Sequence, residues 1–351
     1  MDEPKIAIVG AGALGGHVGA YLSRDGRDVT LIDPWPENVE RMRAEGITLT
    51  GLSEPECFSA PVNAIHVTEL QRTANERPFD MAFIAMKSYD TIWATAMIRQ
   101  YLAADGFAIS LQNGINEERM AGVMGWGKTV GCIASKIAVE LTGPGQITRH
   151  VKLGDADHVV FRIGEPHGRT SARAERVAGM LACVDSSRVT NNLWGERWTK
   201  LVVNCMRNPL SAATGQGGNA NDRDDHIRGL AIRIAAEAIE VGRAHGYVLE
   251  RVYKIDPDAL LAAGQGDSAA LQSCEAILLD SAQSRSDGQR PSMGQDMAKG
   301  RRTEIDFING LVVEKAAELG ISVPANAAIV DIVKRIERGE LAASPAAVAG
   351  I

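Results

Sequence analysis

The hydrophobic and polar positions of this 351-residue chain follow two different patterns, and the change falls near residue 190. Before it, short runs of consecutive apolar residues such as KIAIVG and MAFIAMK alternate with segments of helical periodicity. Such runs are typical of buried parallel strands. After it, apolar residues recur at helical spacing in almost every segment. The pattern therefore predicts an α/β domain over residues 1–190 and an all-α domain over residues 191–351.

The first predicted strand ends in a glycine-rich turn that leads into a helix. In GAGALGG the first, third and sixth residues have the GxGxxG spacing. After a strand and before a helix, this spacing indicates a dinucleotide-binding Rossmann domain, because backbone amides there can approach a pyrophosphate and the helix N-terminus favours its charge. The predicted cofactor contacts from this turn are Gly10, Gly12, Ala13, Leu14 and Gly15.

A carboxylate stands at the end of the second predicted strand. The run DVTLID ends in Asp33, 18 residues after Gly15. A carboxylate at this point of a dinucleotide fold accepts hydrogen bonds from a ribose hydroxyl and repels a 2′-phosphate. We therefore expect NAD(H) to be favoured over NADP(H). The alternative interpretation is an acidic residue that simply ends a strand at a turn.

Two polar residues stand at or just past the ends of later predicted strands. Lys87 follows MAFIAM, and Asn113 lies in FAISLQNG. Ligands of open α/β sheets bind at the carboxyl ends of the strands, so both positions are predicted to face the cofactor. The alternatives are a lysine that solvates a strand end and an ordinary Asn-Gly turn.

The helical half contains an apolar helix with an unexpected polar stripe. WTKLVVNCMRN carries Lys200, Asn204 and Asn208 at intervals of four residues, which share one face of an α-helix. A lysine on such a helix either extends its ammonium to water or lies in a cavity that uses its charge. Because two amides accompany it, we predict a polar pocket.

A second polar segment, RPSMGQDMAKGRRTEIDFING at 290–310, is predicted to form the other wall of this pocket. Ser292 can hydrogen-bond a carboxylate, and Glu304, near the start of a predicted helix over 303–319, can reach a substrate hydroxyl. A capping serine and an ordinary first-turn glutamate are the alternatives. The region 253–290 is predicted to be the least regular part of the domain and to form a lid or an insertion.

Composition narrows the classes of function. A formal net charge of −7 without a basic cluster argues against nucleic acid or an anionic membrane as a partner, and no apolar stretch approaches membrane-spanning length. Five cysteines without CxxC spacing suit reduced thiols in the cytoplasm, and the seven dispersed histidines do not indicate a metal site. A cytoplasmic protein with a small-molecule substrate is predicted.

The blocks GAGALGG, AMKS, LQNG, RWTKLVVNCMRNPLSA and SMGQDMAKGRRTEIDFING, taken together, resemble the ketopantoate reductase family over essentially the whole chain. The last two blocks are the most discriminating. The resemblance implies a 6-phosphogluconate-dehydrogenase-like fold, in which a Rossmann domain is followed by a helical domain. It also implies site roles by matching positions: Lys200 as general acid, Glu304 holding the reacting oxygen, Asn204 and Asn208 orienting the substrate, Ser292 binding its carboxylate, and Lys87 and Asn113 serving cofactor and substrate.

The chain also departs from the usual pattern of that family. Typical members use the phosphorylated cofactor with a basic residue after the second strand, where this chain has Asp33. Gln289 replaces the usual Asn three residues before Ser292, and a loop asparagine of the family aligns only loosely with Asn219. These departures leave the substrate open.

The leading hypothesis is an oxidoreductase that transfers a hydride between NAD(H) and a small 2-oxo acid, its 2-hydroxy acid or a related alcohol. The nearest alternative is a true 2-dehydropantoate 2-reductase of pantothenate synthesis. An alternative of another class is a non-catalytic dinucleotide sensor. Helical C-terminal domains of this kind often dimerise, so a homodimer is expected.

Overall fold

The computed structural model describes residues 3–154, 158–283 and 290–351. The chain forms two compact units, Met1–Leu193 and Trp194–Ile351, which we call the N-terminal unit and the helical unit. The strands are β1 Ile6–Val9, β2 Val29–Asp33, β3 Ile47–Thr50, β4 Phe58–Ala60, β5 Asn63–His66, β6 Phe79–Ile84, β7 Leu102–Ser110, β8 Thr129–Ala134, β9 Val139–Gly143, β10 Gln146–Arg149, β11 Phe161–Gly164 and β12 Ser187–Thr190. The α-helices that accompany them are α1 Ala13–Arg24, α2 Pro36–Glu45, α3 Thr91–Ile98, α4 Glu117–Met124 and α5 Ala172–Leu181.

The main sheet has eight strands in the order β12-β11-β8-β7-β6-β1-β2-β5. The six strands from β8 to β5 are parallel to one another. Numbered by their occurrence in the chain, they stand in the order 6-5-4-1-2-3, which is the doubly wound order of dinucleotide-binding folds. All four residues of β1 are buried, as its uninterrupted apolar run predicts. The carboxyl ends of β1, β6 and β7 therefore meet at one edge of the sheet.

A second, four-stranded sheet has the order β4-β3-β10-β9. The local sequence pattern does not predict a separate sheet of this kind. This sheet packs on α1, where a Cβ added to Gly16 would lie 2.7 Å from Cδ1 of Ile147. Its pairing joins β10 to β3 in parallel over a long sequence separation, which a local pattern does not reveal.

The helical unit begins with α6, its longest helix in the described part of the chain, and continues through seven shorter helices. Their bounds are α6 Leu193–Thr214, α7 Gly218–Arg223, α8 Asp225–Ala244, α9 Pro257–Gly264, α10 Ser268–Gln283, α11 Ser292–Ala298, α12 Asn309–Leu319 and α13 Pro324–Glu337. Trp198 of α6 is fully buried, and its indole N–H donates to the carbonyl of Ala238 at 2.7 Å. A Cβ on Gly242 would lie 2.2 Å from that indole nitrogen, so the close approach of α6 and α8 requires glycine.

Two predictions about this unit are wrong in part. In the region 253–290, which was predicted to be irregular, the described residues 253–283 are mostly helical, since α9 and α10 occupy most of them. Asp256 caps α9 and Pro257 is its first residue, which is a standard start signal. Gln289 lies outside the described residues. The helix predicted over 303–319 begins only at Asn309, after a 3₁₀ turn over Ile305–Phe307, and it ends as predicted at the left-handed Gly320. Within the described ranges, none of the helices combines the length and apolarity that a membrane span requires.

Candidate active site

The glycine turn after β1 is shaped by close contacts that only glycine permits. Gly10 has φ +100°, and an added Cβ would lie 2.8 Å from Sδ of Met86. At Gly15 a Cβ would lie 1.9 Å from the carbonyl oxygen of Gly10. Gly12 differs, because nothing lies within 4 Å of the position that its Cβ would take. The packing of the protein itself therefore does not require glycine at position 12. The open space beside Gly12 fits a dinucleotide pyrophosphate that approaches the turn.

Asp33 lies beside this turn and accepts a hydrogen bond from its backbone. The N–H of Ala11 donates to Oδ2 of Asp33 at 2.7 Å, and the N–H of Trp35 donates to Oδ1 at 2.9 Å. Burial raises the pKa of the Asp33 carboxyl, while the two backbone N–H groups favour its ionised form. A carboxylate offers about four acceptor positions, so two such bonds leave acceptor capacity for a ribose hydroxyl.

The loops that carry Lys87 and Asn113 contact each other at the same edge of the main sheet. Lys87 comes just after β6 and caps a short 3₁₀ turn that begins at Ser88. The hydroxyl of Ser88 donates to the carbonyl of Asn113 at 3.1 Å, and Nδ2 of Asn116 donates to the same oxygen at 2.8 Å. Because Met86 also touches Gly10, the three predicted cofactor loops of this unit are in contact.

The polar stripe of α6 is present in the helical unit. Lys200 and Asn204 are half-buried, and Asn208 is buried. The Nδ2 atom of Asn204 is buried without a hydrogen-bond partner among the residues that the structure describes. Buried amide donors are normally satisfied, so this one is explained most simply by an acceptor on a ligand.

Arg207 lies on the same stripe, seven residues after Lys200, and sequence reasoning missed it. Its side chain is 7% exposed and forms an ion pair with Asp222, which is 2% exposed. The guanidinium also lies over the ring of Tyr253, 4.9 Å from its centroid. The sequence contained a signal for this residue, because Arg207 lies within the motif WTKLVVNCMRN at a helical spacing from Lys200.

The helix that starts at Ser292 packs on the far end of the stripe. Ser292 is the first residue of α11 and is half-buried. A Cβ added to Gly294 would lie 2.3 Å from Oγ of Ser211, which follows Asn208 on α6. The structure therefore places the first turn of α11 against the helix that carries the predicted substrate residues.

The segment that contains Glu304 is hydrogen-bonded to the middle of α6 through Asn309, and Glu304 does not lie in the first turn of an α-helix as the sequence predicts. It is 4% exposed and precedes the 3₁₀ turn, so it is not in the first turn of an α-helix and the dipole argument does not apply. Instead, Nδ2 of Asn309 donates to the carbonyl of Cys205 at 3.2 Å, and the N–H of Thr303 donates to Oε1 of Glu337 at 2.6 Å. The first bond fixes the segment one residue beyond Asn204 on α6.

Comparison with known proteins gives this geometry its context. Residues 6–158 match the family Ketopantoate reductase PanE/ApbA, and residues 192–337 match Ketopantoate reductase PanE/ApbA C terminal. The 2-dehydropantoate 2-reductase of Pyrococcus horikoshii is 30% identical over 334 residues, which cover 95% of this chain and 97% of that protein. The chain belongs to the ketopantoate reductase family. It is therefore an NAD(P)-dependent oxidoreductase.

Other ketopantoate reductase relatives match nearly the whole chain. The 2-dehydropantoate 2-reductase of Archaeoglobus fulgidus is 29% identical over 350 residues, covering 97% of this chain and 100% of that protein. The crystal structure of a PanE/ApbA family ketopantoate reductase from Ralstonia eutropha JMP134 has a TM-score of 0.76 at 26% identity, covering 96% of this chain and 99% of that one. The predicted class, a Rossmann domain followed by a helical domain of the 6-phosphogluconate-dehydrogenase-like type, is confirmed.

The same fold also occurs in a dehydrogenase that is not named as a ketopantoate reductase. The ternary structure of D-mandelate dehydrogenase with NADH and anilino(oxo)acetate has a TM-score of 0.79 at 22% identity, covering 96% of this chain and 99% of that one. At this identity the likeness concerns the fold alone. Because one fold serves proteins with different substrates, the substrate has to be argued from the site.

Proposed function

We propose that this enzyme transfers a hydride between NAD(H) and a small 2-oxo acid, or the corresponding 2-hydroxy acid, with Lys200 as the general acid and base. The observation that carries the proposal is the stripe of Lys200, Asn204 and Asn208 on α6. The segment of Glu304 is hydrogen-bonded to the same helix, and the amide of Asn204 has a buried donor without a partner in the described ranges. A polar substrate would complete this arrangement.

The chemistry assigns a role to each of these side chains. The glycine turn and its neighbouring loops would hold the nicotinamide dinucleotide, which would supply a hydride to the carbonyl carbon of the substrate. Negative charge would then develop on the carbonyl oxygen. The ammonium of Lys200 stabilises that charge and donates its proton to the oxygen, while Glu304 holds the same group by hydrogen bonding. The amides of Asn204 and Asn208 orient the substrate without competing for the proton, and the hydroxyl of Ser292 binds its carboxylate. In the oxidative direction, neutral Lys200 takes the hydroxyl proton.

For the cofactor, we propose contacts from the glycine turn and from the neighbouring loops of the N-terminal unit. The proposed residues are Gly10, Gly12, Ala13, Leu14 and Gly15 of the turn and the first turn of α1, together with Lys87 and Asn113. Asp33 supports a preference for NAD(H), because its carboxylate beside the turn would repel a 2′-phosphate. Fluorescence titration with NADH and NADPH tests this preference, and tighter binding of NADPH would refute it.

Steady-state assays of Lys200→Met against a panel of 2-oxo acids test the proposed chemistry. We expect kcat to fall by about 10²- to 10⁴-fold while NADH still binds with its normal Kd, because only the proton donor is lost. Lys315→Met is the matched control, since that lysine pairs with Glu318 on α12 and should leave turnover unchanged. Near-normal turnover of Lys200→Met would remove the proposal.

A second candidate is 2-dehydropantoate 2-reductase activity itself. It is favoured by the names of relatives that match nearly the whole chain, from Pyrococcus horikoshii and Archaeoglobus fulgidus. The two candidates share a mechanism and differ only in substrate. A direct assay with 2-dehydropantoate beside simpler 2-oxo acids separates them, because the true substrate will have the highest kcat/KM.

We also propose that the enzyme acts in the cytoplasm as a homodimer. A structure of the same fold is described as a dimeric ketopantoate reductase from Staphylococcus aureus. Light scattering coupled to size-exclusion chromatography tests the dimer, and a monomeric mass across the micromolar range would contradict it.

A further inference from the structure

Asn38 links the glycine turn to the second sheet of the N-terminal unit. It is the third residue of α2 and is 1% exposed. Its Nδ2 donates to the carbonyl of Ala11 at 3.2 Å, and its Oδ1 accepts the N–H of Gly145 at 2.8 Å. Gly145 lies between β9 and β10 and is 107 residues away in sequence. One buried amide therefore ties together three segments that are distant in the chain.

The bond to Ala11 fixes the direction of the next amide. In a planar trans peptide the C=O and the following N–H point in opposite directions. Asn38 holds the Ala11 carbonyl towards the interior, so the N–H of Gly12 points the other way. Gly12 is the turn residue beside open space, where the pyrophosphate is proposed to bind. The other side of Ala11 is held as well, because its N–H donates to Asp33.

The second sheet provides a rigid anchor for this amide. Gly145 has φ +64°, and a Cβ there would lie 2.9 Å from Cγ of Arg41. Its carbonyl accepts the N–H of Thr48 at 2.8 Å, which joins it to the start of β3. Two residues further on, Ile147 packs against Gly16 of α1. The sheet thus contacts both the glycine-turn helix and the side chain that holds the turn.

We propose that Asn38 is a positioning residue for the dinucleotide cofactor, which acts by transmitting the fixed geometry of the four-stranded sheet to the amide of Gly12. The proposal rests on the proposed binding of the cofactor at the glycine turn. It predicts that loss of the Asn38 amide weakens ligands that carry a pyrophosphate. A role confined to stability would lower the Tm but leave the Kd of the folded protein unchanged.

The test measures the Kd of NADH and of ADP-ribose for Asn38→Ala and for the control Asn63→Ala. The control removes one side-chain hydrogen bond at an exposed position of the same unit, from Nδ2 of Asn63 to Oγ1 of Thr30 at 3.0 Å. We expect both ligands to bind about tenfold more weakly to Asn38→Ala, the effect of one lost hydrogen bond, and to bind Asn63→Ala within twofold of wild type. The kcat at saturating NADH should stay unchanged.

A second variant covers the case in which Asn38→Ala does not fold. Asn38→Ser adds no charge beside Asp33, and its shorter side chain cannot span from the Ala11 carbonyl to the N–H of Gly145, so the link between the turn and the second sheet is lost while a polar group remains. We expect a smaller loss of Tm and a loss of NADH affinity of at least tenfold. Unchanged NADH affinity in a folded Asn38 variant would overturn the inference and leave the proposed function standing. Failure of the wild-type protein to bind NADH would instead overturn the proposed function.

Discussion

The glycine turn of the N-terminal unit and the polar stripe of α6 serve one proposed reaction, but they differ in how far their polar atoms are hydrogen-bonded within the protein. At the turn, both backbone groups of Ala11 are bound by side chains, Asp33 and Asn38. On the stripe, Nδ2 of Asn204 is buried without a hydrogen-bond partner in the described part of the chain. Unsatisfied donors cost stability. The proposed cofactor side is therefore fixed by side chains, whereas the proposed substrate side contains a buried donor that the described residues leave unsatisfied.

The largest expected effect comes from an exception to this comparison, His17 on α1. Both of its ring nitrogens are buried without a partner among the described residues, and burial, followed by the charge of Arg149, lowers its pKa to about 3. In the unfolded chain the pKa is about 6.5, so the unfolded state binds more protons between these values. The free energy of unfolding should therefore fall as the pH drops from about 6.5 to about 3, by up to about 4 to 5 kcal/mol from this group.

Denaturant unfolding of wild type and His17→Leu between pH 7 and pH 4 measures this effect. The variant has no imidazole to protonate, so its stability should fall less steeply on acidification. If the free energy of unfolding changed equally with pH in the two proteins, the protonation of His17 would not be coupled to unfolding. His17 would then not be an exception to the satisfied polar groups of the N-terminal unit.

The next effect concerns Glu304 of the helical unit. Glu304→Gln preserves the size of the side chain and removes its charge. We expect kcat/KM for the 2-oxo acid to fall by about 100- to 1000-fold, the usual loss for one group that holds the reacting oxygen, with the Kd of NADH unchanged. Glu318→Gln, an exposed glutamate paired with Lys315, is the control. Turnover of Glu304→Gln within tenfold of wild type would contradict the role of the carboxylate.

Replacement of Asn38 by an apolar residue sharpens the comparison on the cofactor side. In Asn38→Leu the carbonyl of Ala11 and the N–H of Gly145 lose their shared partner in a buried place. We expect the free energy of unfolding to fall by about 2 to 3 kcal/mol, measured by urea denaturation. A loss below about 0.5 kcal/mol, the size of an ordinary surface substitution, would mean that other groups or water already satisfy these atoms.

The same substitution on the substrate side should have the smallest effect on stability. Asn204→Leu removes a buried donor that has no partner in the described ranges, so the free energy of unfolding should stay within about 0.5 kcal/mol of wild type or rise. The kcat/KM for the 2-oxo acid should fall about tenfold, because one substrate hydrogen bond is lost. Strong destabilisation would show that the amide is satisfied within the protein, and the contrast between the two sites would fail.

How much of each site the sequence predicts depends on how local its determinants are. The glycine turn and Asp33 lie within one strand–helix–strand segment, so spacing alone placed them beside each other. The stripe of α6 was predicted from helical periodicity within eleven residues. The positioning role proposed for Asn38 is not predicted from the sequence, because it depends on a hydrogen bond with Gly145, 107 residues away. No periodic pattern encodes such a contact.

Two other misses have different physical causes. The second sheet depends on the pairing of β3 with β10, which the sequence does not specify locally. The helices α9 and α10 depart from the prediction of an irregular region, although Asp256 and Pro257 provide a local capping signal for α9. Glu304 stays a predicted site residue, and its segment is tied to α6 by the bond from Asn309 and not by a helix N-terminus.

The link between α2 and the β9–β10 hairpin has a consequence for protein engineering. A change of cofactor specificity is commonly attempted by grafting the loop and helix that follow the second strand from another enzyme. In this chain such a graft would separate Asn38 from its partner at Gly145. A working chimaera has to exchange both segments together, or retain an amide at position 38 whatever else is redesigned.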